Sequence, residues 1–200
     1  MFAGDDLNNH KAIRQEIMDI LKSAKKSVLI WNYSIGDGPL IAENVKTIID
    51  NIEPDKNSKY PPFRIITDQS QISSCHMQKY SDSLKDSGAV IKINKKAGNK
   101  LMHCKFMIID NRVLVHGSMN LGGKSLHNYE HVAITDSKLY INKFKRRFDQ
   151  MWDSDYFYDY TEFMTEVIVN KILQIKKDSP QKFDAMIQDY QKDQFFDKFM

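Results

Sequence analysis

His103 and Lys105 stand two apart in the segment Leu-Met-His-Cys-Lys-Phe-Met-Ile-Ile-Asp-Asn-Arg-Val-Leu-Val-His-Gly-Ser-Met-Asn, residues 101–120. An imidazole can serve as nucleophile or acid, and a lysine beside it supplies fixed positive charge, so the pair suits attack on an anionic centre such as phosphorus. The run from Met102 to Ile109 is otherwise apolar and reads as a buried strand, Asp110-Asn111-Arg112 as a turn, and Val113 to Val115 as the return strand of a hairpin. Side chains alternate across a strand, so His103 and Lys105 share one face while Cys104 and Phe106 take the other. Two polar groups on a buried strand are costly unless partnered or facing a cleft. Taken alone, the pair reads more simply as a satisfied core histidine and a lysine snorkelling at a sheet edge; the residues that follow favour a site.

A phosphodiester needs the charge on its non-bridging oxygens offset where it develops. Lys105 is the natural clamp, and Ser118 and Asn120, again two apart, add a hydroxyl and an amide as uncharged donors. An unprotonated His103 can attack phosphorus and leave as a phosphohistidine if its other nitrogen is held by a carboxylate, for which Glu130 is the candidate. Asp110, in a turn, reads as a structural residue ahead of a catalytic one. Gly117 allows tight backbone geometry that brings the following donors to substrate. His116 reads as a rim or packing residue, and His127 and His131 as solvated loop histidines on either side of Glu130. Cys104 reads as a small buried hydrophobe. Lys100 and Lys124, with Lys95 and Lys96, are candidate phosphate contacts, and Tyr33 a candidate base-stacking residue. Lys143, Lys145, Arg146 and Arg147 read first as a solvated helix face whose buried side is marked by Phe144 and Phe148.

The elements that must position these residues alternate between helix and strand. Helices are expected over 9–24, from Pro39 to about Ile49, over 73–87 and from Asp136 to Trp152; strands over 27–34, 63–67, 89–94 and 130–135. Gly36-Asp37-Gly38 is a turn, Pro54 to Pro62 a polar loop, Gly88 a helix C-cap and 153–160 a polar and aromatic break. The pattern is that of an α/β layer structure. From Thr161 onward two helices are expected, parted near Asp178-Ser179-Pro180, with Phe183, Met186, Tyr190, Phe195, Phe196 and Phe199 needing something to pack on. The domain reading is therefore 1–157 and 158–200. With a formal charge of +3 over 200 residues, attraction for a polyanion must come from local clustering rather than a global field. No leader pattern and no apolar run near ~18 residues is present, so a cytoplasmic protein without stable membrane association is expected. Cys75 and Cys104 form no C-x-x-C pair, and no His, Cys or carboxylate set has metal-ligand spacing, so neither a disulfide nor a metal or other cofactor is expected.

His103, Lys105, Asp110, Gly117, Ser118 and Asn120 together spell H-x-K-x4-D-x6-G-S-x-N, which resembles the signature of the phospholipase D superfamily; Asn128-Tyr129-Glu130 resembles its later acidic element. The resemblance covers about residues 8–157 and implies a mixed β-sheet with helices on both faces. Only one H-x-K is present, whereas superfamily members acting as monomers carry two. The chain thus resembles the single-motif nucleases, which implies a homodimer with His103 of one subunit attacking and His103 of the other protonating the leaving group. The expected activity is metal-independent cleavage of DNA or RNA. A lipid-directed phospholipase or phosphatidyltransferase, and a non-catalytic nucleic-acid-binding module of the same fold, are the alternatives.

Overall fold

Three strands that are buried along their whole length carry the centre of the sheet, as expected where both faces are covered. The computed structural model describes residues 2–3, 7–35, 39–71, 75–94, 101–122, 125 and 128–191. The chain divides into two compact units, Met1–Asp159 and Tyr160–Met200. In the first, the elements run β1 (Phe2–Ala3), α1 (Leu7–Lys22), β2 (Val28–Asn32), α2 (Pro39–Asp50), β3 (Phe63–Thr67), α3 (Cys75–Asp86), β4 (Val90–Asn94), β5 (Lys105–Ile109), β6 (Val113–Gly117), β7 (Glu130–Thr135), α4 (Lys138–Trp152) and β8 (Phe157–Asp159). They form one mixed sheet in the order β1-β7-β6-β5-β2-β3-β4-β8. β2, β3 and β4 are parallel because a helix returns the chain between them, whereas β5, β6 and β7 pair antiparallel, β5 and β6 through a tight hairpin.

Helices cover both faces, as the sequence leads one to expect. Leu29, Trp31, Ile66, Phe106, Ile108 and Leu114 point to one face and pack with Ile141, Phe148 and Trp152 of α4. The alternate residues, Val28, Ile30, Ile65 and Met107, are equally buried, and α1 presents Ile17 toward the Met107 face. The β5–β6 connection is the three residues Asp110, Asn111 and Arg112, with Ile109 paired to Val113. Asp110 has φ 55° and Asn111 φ 50°, and Arg112 N–H donates to Ile109 O at 2.9 Å. Two positive φ values in succession are the type I′ geometry that matches strand twist, and Asp and Asn tolerate it better than most residues. Gly88, at φ 97°, closes α3 as expected.

Three local expectations change. Residues 102–104 are not strand, because β5 begins only at Lys105. Met102 N–H is drawn off the ladder to Asp68 Oδ2 at 2.9 Å, and the Trp31 indole N–H donates to Met102 Sδ. His103 therefore lies on the approach to β5 rather than within it. β1 and β8 are strands of two and three residues, too short to show periodicity; β8 lies in the stretch read as a break, and its Phe157 pairs with Asn94. In the second unit, α5 (Tyr160–Asp178) and α6 (Pro180–Gln191) part at Ser179, with Pro180 in the first helical position where its missing N–H costs nothing. Gly36–Gly38 and Phe195, Phe196 and Phe199 lie outside the described residues. Among the described residues no helix is long and apolar enough to cross a membrane.

Candidate active site

The site gathers where β2 ends and β5 begins. The two strands are antiparallel with Asn32 opposite Lys105, so Tyr33, one residue on, meets the approach to β5 and its N–H donates to Cys104 O at 2.9 Å. The Tyr33 ring lies 4.9 Å from the exposed His103 imidazole, tilted by 55°. Lys105 is 8% exposed; its Nζ donates to His103 O at 2.9 Å and stands 5.3 Å from the Tyr33 ring. Burial holds the Lys105 pKa below the ordinary lysine value, with Glu130 and, more weakly, Cys104 opposing that shift. An accessible imidazole thus sits beside a desolvated cation whose field is little screened.

Glu130, at the start of β7, is buried, and its carboxylate accepts from Ser118 Oγ and, at 3.3 Å, from Asn128 Nδ2. It makes no hydrogen bond to His103, so the direct imidazole contact expected from the sequence is not present. Ser118 is equally committed: its hydroxyl donates to Glu130 and accepts His131 N–H at 3.0 Å. The Ser118 hydroxyl is therefore not an open donor. Asn120 N–H donates to Ser125 Oγ at 3.1 Å, while its buried side-chain oxygen Oδ1 has no hydrogen-bond partner among the described residues. Gly117 is required by a close approach of β6 to β7, since an added Cβ would stand 2.1 Å from His131 O. That is the tight backbone geometry expected of this glycine, set by the neighbouring strand.

Asp110 lies at the far end of β5, five residues and about 17 Å from Lys105 at ~3.3 Å per residue. Its carboxylate accepts from the N–H groups of Lys25 (2.9 and 3.1 Å), Lys26 (2.7 Å) and Ser27 (2.9 Å). It ties the hairpin to the turn before β2, away from His103 and Lys105, in keeping with the structural reading of this residue. Lys95, Lys96, Lys100, Lys124 and His127 lie outside the described residues.

Beside the site, on the α4 side, runs a groove of about 800 Å³. Lys143 and Arg147, one helical turn apart and both exposed, line it with Phe144 between them; Leu101, Met151 and the exposed Tyr156 add apolar wall. The basic run is thus divided in a way its sequence does not reveal, with Lys145 turned to Asp149 Oδ2 at 2.5 Å. His116 stands at the groove, its ring 5.4 Å from Phe144. Cys104 also lines it and is exposed rather than buried, because residues 102–104 leave the ladder; partial desolvation pushes its thiol pKa up. Among the described residues no group of three or more His, Cys, Asp or Glu is placed to hold a metal ion.

Sequence reasoning missed the residues that place the approach segment. Asn32, Asp68 and Asn94 are buried polar residues at the carboxyl ends of the three parallel strands, the edge where such sheets build sites. Asp68 accepts from Met102 N–H and, at 3.0 Å, from Asn94 Nδ2, while Asn94 Oδ1 accepts Gln69 N–H at 2.6 Å. A polar residue closing each apolar run was the available signal.

Residues 17–152 match a family model described as cardiolipin synthase, PLD-like domain. The mitochondrial cardiolipin hydrolase of Chlamydomonas reinhardtii is 32% identical over 138 residues, 68% of this chain and 56% of that protein; the human protein of that name is 34% identical over 76 residues, 34% of this chain and 30% of that one. The chain thus spans about half or less of the length of these relatives. Among solved structures, NucT from Helicobacter pylori aligns with a TM-score of 0.61 at 23% identity, over 77% of this chain and 95% of that one. Nuc from Salmonella typhimurium, a phospholipase D family member, aligns with a TM-score of 0.61 at 18% identity, over 74% and 90%.

Proposed function

The chain belongs to the phospholipase D superfamily, and from that premise we propose that it is a phosphodiesterase that cleaves nucleic acid through a phosphohistidine formed on His103. The observation that carries this reading is the exposed imidazole of His103 beside the buried ammonium of Lys105. In the first step His103 attacks phosphorus, a P–N bond forms, and the P–O bond to the leaving strand breaks. Lys105 offsets charge on the non-bridging oxygens, and Asn120 offers its amide. The Ser118–Glu130 pair holds the floor of the site and balances Lys105. In the second step water attacks phosphorus, a P–O bond forms, the P–N bond breaks to free the His103 imidazole, and the water's proton passes to the group that protonated the leaving oxygen. The leaving oxygen needs a proton. With a single H-x-K in the sequence, His103 of the partner subunit supplies it in a homodimer.

Nucleic acid is favoured by Lys143 and Arg147, which could track successive phosphates along the groove, with Tyr156 and Phe144 as stacking surfaces. A lipid substrate is the second reading, favoured by the apolar walls of the same groove, Leu101 and Met151 among them. A cytoplasmic location goes with the first reading, and cell fractionation tests it. The deciding experiment incubates the protein and His103→Ala with single-stranded DNA, duplex DNA, RNA and cardiolipin vesicles in EDTA. The expected result is strand cleavage by the parent protein alone, with acid-labile radiolabel trapped on His103. Hydrolysis of cardiolipin without strand cleavage would replace the first reading by the second. Full specific activity from a monomer would remove the shared site.

A further inference from the structure

The helices α5 and α6 lie beyond the residues matched by the family model, and among the described residues of their unit Tyr160 alone is buried. A helical hairpin covers only one side of each helix, and this unit is near the ~40 residues below which a chain usually needs oligomerisation or another support. α5 also carries a second face. Glu162, Glu166, Val169, Leu173 and Lys176 are spaced 4, 3, 4 and 3, which at ~3.6 residues per turn keeps them within a sector of about 80°. All five are exposed; Val169, the midpoint of the helix, keeps 47% and Leu173 57% of its surface in solvent. The face is graded along its length, with two carboxylates, then two apolar side chains, then an ammonium with Lys177 beside it. Among the described residues neither glutamate has an ion pair. Lys176 Nζ stands 5.3 Å from the Phe183 ring, a contact that supplies no acceptor for its N–H groups. The helix dipole accounts for Glu162 in the first turn and for Lys176 and Lys177 in the last. It does not account for the exposed Val169 and Leu173, nor for Glu166, which stands a turn further in at a like-charge spacing from Glu162 that costs an isolated helix stability.

We propose that this face of α5 binds the same face of a second copy of the chain, antiparallel about a two-fold axis at Val169. The axis sets Glu162 opposite the partner's Lys176, since each lies seven residues from Val169, and leaves Glu166 and Lys177 within one turn of that pair. Both ends of the contact are then ionic, while Val169 and Leu173 of both chains close over its centre as an apolar core with a charged rim. A parallel pair would set Glu162 on Glu162 and Lys176 on Lys176, so charge selects the antiparallel register. Reversed end to end, the face is its own complement, which is the condition for an isologous contact. An anionic lipid surface matches the lysines but meets Glu162 and Glu166 on the same face, which favours a second copy over lipid. A single H-x-K already calls for two chains under the proposed function, and to that extent the contact rests on that reading; its register comes from α5 alone.

Sedimentation equilibrium of the full chain over a concentration series tests the pairing. The parent is compared with Glu162→Lys plus Glu166→Lys, with Lys176→Glu plus Lys177→Glu, and with all four changes together. Each double variant gives the face a single sign and is expected to weaken self-association roughly tenfold or more. The two double variants mixed in equal amounts, and the quadruple variant alone, again set opposite signs across the axis and are expected to recover association, a result that mere loss of helix would not give. No recovery in either the mixture or the quadruple variant would overturn the proposal. A parent dimer whose affinity is the same in every variant would overturn the α5 contact and leave the shared active site standing. A parent that stays monomeric would also overturn it, and flotation of that monomer with vesicles of phosphatidylcholine and cardiolipin would assign the face to lipid instead. Strand cleavage at full specific activity by a monomeric double variant would uphold the α5 contact and remove the shared site, so the two readings fail separately.

Discussion

Replacing Asp110 should cost stability and leave turnover intact, although this residue supplies the last letter of the His-Lys-Asp motif. Its carboxylate receives N–H groups from Lys25, Lys26 and Ser27, and its own N–H donates to Ser27 O at 2.8 Å. Hydrogen bonds to a charged acceptor are worth about 1.5–3 kcal/mol each where buried. The bonds to Lys25 and Lys26 are exposed, so water replaces them, and only that to Ser27 is part-buried. Discounting accordingly gives about 2–4 kcal/mol for Asp110→Ala, with about 1 kcal/mol more for alanine at φ 55°. Asp110→Gly relieves the second cost, and Asp110→Asn keeps one acceptor and the left-handed backbone, leaving about 1–2 kcal/mol. At roughly 2–4 °C per kcal/mol for a chain of this size, the Asn variant should lose about 2–8 °C in Tm and the Ala variant the most. Urea melts paired with kcat on bis(p-nitrophenyl) phosphate, well below every midpoint, should show the order Asn, Gly, Ala in stability and kcat within about threefold of the parent. A hundredfold loss of kcat in Asp110→Asn with an unchanged midpoint would refute the reasoning.

Lys105→Met should lower kcat by about 10²–10³, as loss of a transition-state donor does, while stability at neutral pH holds or rises. Below the depressed folded pKa of Lys105 both states are charged and the burial cost is complete. As pH climbs through that value toward the unfolded one near ~10.4, the unfolded chain holds the extra proton and the parent gains stability, so the variant's advantage should shrink. The alkaline limb of kcat/KM should correspondingly fall below ~10.4; a limb at the ordinary lysine value would contradict the burial argument. Gly117→Ala must shift β6 from β7, and a loss of about 2 kcal/mol or more by denaturant melt is expected, with lower kcat as Ser118 and Glu130 move. Lys143→Glu with Arg147→Glu should raise KM for nucleic acid tenfold or more and steepen neither the thermal melt nor kcat; an unchanged KM and salt dependence would take the groove out of substrate binding.

Much of this protein is legible in local chemistry. Helical periodicity and short apolar runs marked every long element, because a covering helix buries one face and a central strand buries both. The spacing of His103, Lys105, Gly117, Ser118 and Asn120 identified the family and singled out the pair proposed to react, and Asp110-Asn111 announced a tight turn through residues that accept positive φ. Short strands escaped, since two or three residues carry no period. The polar residues that position the site escaped as well: Asp68 reaches Met102 from 34 residues away, and Asn94 reaches Asp68 from 26. Hydrogen bonds of that reach leave no spacing rule in the sequence. The same limit governs charge. Glu130 facing Ser118 instead of His103, Asp110 serving the turn before β2, and Lys145 leaving Lys143 and Arg147 to the groove all depend on which strands and helices become neighbours. Residue type and spacing determined what chemistry the chain can do; the packing of distant segments decided which side chains are free to do it.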